Sequence, residues 1–165
     1  MIVVSDATLL ISLLKINQLN LLEKLFGNVK IPEGVYEELT VNPLYQEEAE
    51  HIKHSSFIEI IEVKDTKSIS IFRKATGLDK GESEAIVLAE EIHADLLLVD
   101  ERKARQVAKK MGITIAGTLG VLLSAYEADM LTSEKVIGCL HNMKTSGRRI
   151  SDVLYNELIG KVLGK

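Results

Sequence analysis

The chain has 165 residues, of which 46% are hydrophobic and 27% charged, with only two prolines. That is one domain's worth of chain with enough apolar mass for a core, and it excludes a disordered or low-complexity protein. Tryptophan is absent and aromatics reach 4%, which argues against an RNA-binding sheet of stacked aromatic side chains. The net charge is −4 and excludes a basic footprint over the whole molecule. Residues 1–129 carry 14 basic against 21 acidic residues, or −7, while residues 130–165 carry six against three, or +3.

Taken in chain order, Ile2–Ser5 is a short β-branched run that reads as a buried strand. Asp6 ends it and is placed to cap a helix over Ala7–Lys15. Leu19, Leu21, Leu22, Leu25 and Phe26 recur at helical spacing, and Gly27 stops that helix. Val29–Ile31 is a second strand, after which Pro32 opens a helix with Val35 and Leu39 on its apolar face. A polar helix follows over Gln46–His54. Phe57–Val63 alternates apolar residues with Glu, as a half-buried or edge strand does. Asp65–Ala75 is weakly helical, and Gly81–His93 is a strong helix with Ala85, Ile86, Leu88, Ala89 and Ile92 inward. Leu96–Val99 is a wholly apolar strand closed by Asp100. Glu101–Met111 is a charged helix ended by Gly112, Ile113–Ala116 is a strand, and Thr118 is placed to cap a helix through Tyr126. Helices near Ser133–Met143 and Ser151–Leu163 complete the chain.

Short apolar strands alternating with helices imply a mostly parallel sheet covered on both faces, a three-layer α/β/α arrangement. No repeat or domain boundary is visible, so residues 1–165 read as a single domain, with the helices after about residue 130 packing onto it. Their apolar stripe of Leu131, Val136, Ile137, Leu140 and Met143 is expected to face the core. The lone Cys139 excludes an internal disulfide and a zinc cluster, fits a reducing cytoplasm, and is expected as a small buried hydrophobe. No basic leader precedes the first apolar run, and no 18-residue uncharged apolar run exists, so neither a secretory signal nor a membrane span is expected.

In an open parallel sheet, ligands bind outside the carboxyl ends of the strands. Asp6 and Asp100 each follow a buried strand and therefore fall on that edge. Glu38 follows the second strand by one helical turn past Val35, and Glu82 opens the helix leading to Asp100. Crowded carboxylates repel unless protons or cations neutralise them, and hard divalent cations with oxygen ligands, Mg²⁺ or Mn²⁺, suit such a set. Each residue also has an ordinary reading. Asp6 and Asp100 are natural helix caps, Glu82 and Glu84 complement a helix dipole, and Glu37 and Glu38 suit a solvated face. No His is placed as a base; His51, His54, His93 and His141 are expected at the surface. Arg102, Lys103 and Arg105 follow Asp100 near the same edge and are candidates for contact with a nucleic-acid backbone, as are Lys80, Arg148 and Arg149.

Val-Val-Ser-Asp-Ala-Thr-Leu-Leu-Ile at 3–11 resembles the first strand of PIN domains, and Ile-Pro-Glu-Gly-Val-Tyr-Glu-Glu-Leu at 31–39 their second acidic segment. Leu-Asp-Lys-Gly-Glu-Ser-Glu-Ala-Ile-Val-Leu-Ala at 78–89 and Leu-Leu-Leu-Val-Asp-Glu-Arg-Lys-Ala-Arg at 96–105 resemble the third and fourth. Gly-Thr-Leu-Gly-Val-Leu-Leu at 117–123 and Gly-Arg-Arg-Ile-Ser at 147–151 point to a PIN-like group of small prokaryotic proteins described as predicted nucleic-acid-binding. The resemblance implies Asp6, Glu38, Glu82 and Asp100 as the catalytic and metal-binding acids. Glu37 and Glu84 are the fallbacks for Glu38 and Glu82, Glu101 is a helper, and Thr8 is a small polar residue near the metal or its water. Many PIN domains have Asp where Glu82 stands. The implied activity is a Mg²⁺- or Mn²⁺-dependent endoribonuclease acting on RNA, single-stranded where base contacts are shallow. The implied setting is the toxin of a toxin–antitoxin pair, dimeric and inhibited by a small partner protein. A catalytically inactive nucleic-acid- or protein-binding module of the same fold is the alternative. A receiver-like phosphoacceptor lacks its adjacent acids after the first strand and its Lys after the last. An aspartyl phosphatase would need Asp where Thr8 stands.

Overall fold

The computed structural model describes residues 1–147 and 150–164. Five strands form one parallel sheet: β1 (Val3–Ser5), β2 (Val29–Pro32), β3 (Ile58–Ile61), β4 (Leu96–Leu98) and β5 (Ile115–Ala116). Their order is β3-β2-β1-β4-β5. The chain first builds outward from β1 to β3 on one side, then crosses back to lay β4 and β5 on the other. The reversal falls between β1 and β4, which pair in the register Val3–Leu96, Val4–Leu97 and Ser5–Leu98.

The strands bury both faces. Val3 and Leu98 enter one core, with Val29 and Ile31 of β2. Val4, Leu97 and Val99 enter the other. This alternation is why the sequence shows continuous apolar runs rather than a polar–apolar repeat. The first core is covered by α1 (Ala7–Lys15), α2 (Asn20–Phe26), α8 (Thr118–Glu127), α9 (Ser133–Thr145) and α10 (Asp152–Leu163). The second is covered by α5 (Thr66–Thr76), α6 (Lys80–Glu91) and α7 (Arg102–Lys110). Helix α3 (Glu33–Val41) joins the two sides: Val35 and Leu39 enter the first core, while its flank packs on α6. Helix α4 (Gln46–Lys53) packs on α3.

The elements expected from the sequence are present, with ends shifted by one or two residues. The half-buried strand expected at 57–63 is β3, an edge strand whose Glu59 pairs with Lys30 of β2 at 2.6 Å. A short 3₁₀ turn over Pro43–Tyr45, capped by Asn42, was not expected. Gly27 and Gly112 end α2 and α7 at φ +76° and +79°, which a side chain would resist. Thr118 is not the helix cap expected: it is the first residue of α8, Gly117 holds the cap position, and the Thr118 amide is satisfied by Asp100. Val136, Leu140 and Met143 of α9 are buried in the first core, Leu131 and Ile137 pack against it, and Cys139 is a buried free thiol. Among the described residues, no helix is long and apolar enough to cross a membrane.

Candidate functional site

The carboxyl ends of β1 and β4 adjoin at the point where the strand order reverses, the position at which open α/β sheets form a ligand crevice. Asp6 leaves β1 there, its amide donating to the Leu98 carbonyl at 3.1 Å. Its side chain is 1% exposed. Oδ1 accepts from the Leu9 amide at 3.1 Å and so caps α1, as an acid after a strand ordinarily does. Oδ2 is buried with no hydrogen-bond partner. Burial pushes the carboxyl up to about 8; Asp100, Glu82 and Glu38 add to this, while the Leu9 amide opposes it. A buried carboxylate oxygen with nothing to bind normally carries a large penalty, so this atom is suited to a proton or a cation.

Asp100 follows β4 after Val99 and is half-buried. Its Oδ1 accepts from the Thr118 amide at 2.8 Å and its Oδ2 from the Thr118 hydroxyl at 2.5 Å. These two bonds tie the Asp100 carboxylate to the start of α8. Gly117 makes room for the arrangement, since a Cβ there would stand 2.8 Å from both Asp100 Oδ1 and Arg105 Nη1.

Glu82 lies in the first turn of α6, where it and Asp79 cap the helix reciprocally: Asp79 Oδ1 accepts from the Glu82 amide at 2.8 Å, and Glu82 Oε2 from the Asp79 amide at 3.1 Å. Partial burial raises its pKa, with Asp79, Glu101 and Glu38 adding to the effect. Glu38 of α3 is exposed as a residue, and partial desolvation of its carboxyl and then Asp79 raise its pKa. A Cβ on Gly81 would sit 2.7 Å from Glu38 Oε2, so the two helices meet closely at that point.

The electrostatic neighbours of Asp6 are therefore the other three acids expected from the sequence, each contributed by a separate stretch of chain. Of the fallbacks, Glu84 is buried but turned away: its charged neighbours are Lys80, Glu37 and Glu33. Glu37 is exposed and reaches Lys80 at 3.8 Å. Glu101 caps α7 through the Ala104 amide at 2.7 Å. Thr8 is exposed, and its carbonyl accepts from Ser12. Among the described residues, no three His, Cys, Asp or Glu side chains converge closely enough to hold an ion as they stand. The donor set itself is all oxygen, and its most buried member has an unpartnered oxygen, which fits a hard divalent cation.

Arg102 and Lys103 are exposed on the first turn of α7. Arg105 is partly committed, its Nη1 donating to the Val99 carbonyl at 2.9 Å. Arg148 and Arg149 lie outside the described residues. All four histidines are exposed, as expected. Sequence reasoning named Lys80 but missed Arg73 and Lys15, the other cations on the far side of Glu38. Arg73 and Lys80 line a cleft of about 670 Å³ with Glu37 and Glu38, and Lys15 lines a smaller one of about 250 Å³ with Thr8, Tyr45 and Glu38. The Thr118–Asp100 pair was missed as well. Its only trace in the sequence is a Thr after Gly117 at a strand end, which reads equally well as a cap.

The PIN domain family model matches residues 2–163. No curated protein matches the chain significantly. PIN domains have a nuclease-type fold associated with nucleic-acid binding and generally use divalent metals. A match across nearly every residue, on a five-stranded parallel sheet covered by helices on both faces, makes this chain a member of the PIN domain family.

Proposed function

We propose that the protein is a metal-dependent endoribonuclease whose Asp6, Glu38, Glu82 and Asp100 hold Mg²⁺ or Mn²⁺. The observation that carries this reading is the buried Asp6 carboxyl, with one unpartnered oxygen, beside three further acids at the strand-order reversal. When bound, the cation supplies a water acidified toward neutral pH and a charge to offset the leaving oxygen of a phosphodiester. The protein's share is positional. The Leu9 amide fixes Asp6, and the Thr118 hydroxyl and amide fix Asp100. A carboxylate of this set would accept the proton that such a water gives up. Arg102 and Lys103 on one side, and Lys80 and Arg73 on the other, offer charge to the backbone of a single strand. In the cell the reading extends to the toxin of a toxin–antitoxin pair, held inactive by a small partner protein; support for this comes from the family resemblance.

The test is Mn²⁺ binding by calorimetry for wild type, Asp6→Asn and Asp100→Asn, alongside cleavage of a single-stranded RNA. Wild type is expected to bind and cleave, and both variants to lose each property. If all three bind alike, or none binds, the carboxylates are not a metal centre. A second reading, a binding module without catalysis, is favoured by one observation: Asp6, Glu82 and Asp100 each already serve the start of a helix. RNA binding without cleavage under Mg²⁺ and Mn²⁺ would select it.

A further inference from the structure

Helices α3 and α6 meet through a reciprocal arrangement of glycine and glutamate. On α3, Gly34 and Glu38 are four residues apart and share a face; on α6, Gly81 and Glu84 are three apart and do the same. Glu38 of α3 lies over Gly81 of α6, and Glu84 of α6 lies over Gly34 of α3. The second contact is the tighter. A Cβ on Gly34 would overlap Glu84 Oε2 outright, so the carboxylate occupies the space a side chain would need. Glu84 is 7% exposed, and Oε2 has no hydrogen-bond partner. Burial pushes its carboxyl above the usual range, while Lys80 and the Gly34 amide, near the start of α3, oppose this. A buried Glu with an unsatisfied oxygen is costly and calls for a reason. Direct service as a metal ligand is not that reason. Glu84 stands about 200° around α6 from Glu82 and does not act on Asp6.

We propose that Glu84 is a positioning residue: seated over Gly34, it locks the start of α3 onto α6 and so sets where Glu38, one turn further along α3, stands relative to Asp6 and Glu82. The inference rests on the metal-centre reading above. It assigns Glu84 a place in that site without contact with the ion.

The experiment compares Glu84→Ala and Glu84→Gln with wild type by Mn²⁺ calorimetry and thermal melting in chelator. Loss of the wedge is expected to weaken Mn²⁺ binding by about tenfold or more in Glu84→Ala, as for other groups that orient metal ligands. Glu84→Gln has the same shape and is expected to retain wild-type affinity. If Glu84→Ala binds as wild type does and only melts earlier, the role is structural and the proposal is overturned. If Glu84→Gln loses as much as Glu84→Ala, Glu84 is itself a ligand and the proposal is again overturned. A wild type that takes no Mn²⁺ removes the parent reading, and this inference with it. A second arm reads the interlock without metal. Gly34→Ala is expected to lower the melting temperature in the wild-type background. In the Glu84→Ala background, where its Cβ fills the vacated space, it is expected to raise it. The same effect in both backgrounds would mean that the two residues do not interlock.

Discussion

At the scale of single residues, Asp6 reconciles two readings that compete in the sequence. One oxygen caps α1, and the other is left for a proton or a cation. The consequence for the metal-free protein is a pH dependence of definite sign. The Asp6 carboxyl titrates near 8 in the folded state, against 3.8 in a model peptide. Between those values the folded chain holds a proton that the unfolded chain has lost. The contribution of Asp6 is therefore fully favourable below 3.8 and is lost as pH rises through 8. The spread sets a ceiling of about 6 kcal/mol. Denaturant melts in chelator are expected to show wild-type stability declining from pH 5 to 8.5 and Asp6→Asn flattening that decline. A wild-type curve that rises across this range would show that Asp6 is charged and already compensated.

At the scale of elements, the site is a meeting of helix starts. Helices α1, α6, α7 and α8 begin at the same sheet edge, and acids serve their first amides: Asp6, Asp79 with Glu82, Glu101 and Asp100. The partial positive charge at these starts offsets some of the repulsion among neighbouring carboxylates. The close contact of α3 with α6 gives a variant that separates stability from function. In Gly81→Ala the new Cβ meets only the far end of the Glu38 side chain, which can swing into solvent. Replacing a helical Gly with Ala favours folding by about 0.5–1 kcal/mol. Gly81→Ala is thus expected to melt at or slightly above the wild-type temperature while binding Mn²⁺ more weakly, because Glu38 is displaced. Unchanged affinity would place Glu38 outside the metal centre.

At the scale of the whole molecule, a chain of net charge −4 has little long-range attraction for a polyanion. Among the described residues, RNA binding as proposed would draw on exposed cations near the crevice, chiefly Arg102, Lys103 and Lys80. Neutralising three phosphates of a single strand gives a slope of about −2 in log affinity against log salt. Fluorescence anisotropy with Asp6→Asn and a short RNA is expected to give that shallow slope. A slope steeper than about −4 would reveal a basic surface beyond these residues.

The run of apolar strands broken by helical periods determined the parallel three-layer sheet by itself, because a strand buried on both faces has to be apolar at every position. The edge on which Asp6 and Asp100 lie was equally legible, since an acid directly after a buried strand has nowhere else to go. The strand order, however, turns on the pairing of β1 with β4, which joins residues more than 90 positions apart, Val3 with Leu96 for example, and no local pattern encodes it. Tertiary structure alone decided that Glu82 and not Glu84 acts on Asp6. Both are acids near the start of one helix, and only the helix's rotation against the sheet and α3 tells them apart. It also decided that Thr118 serves Asp100 rather than its own helix, because the partner it satisfies lies 18 residues away, after β4.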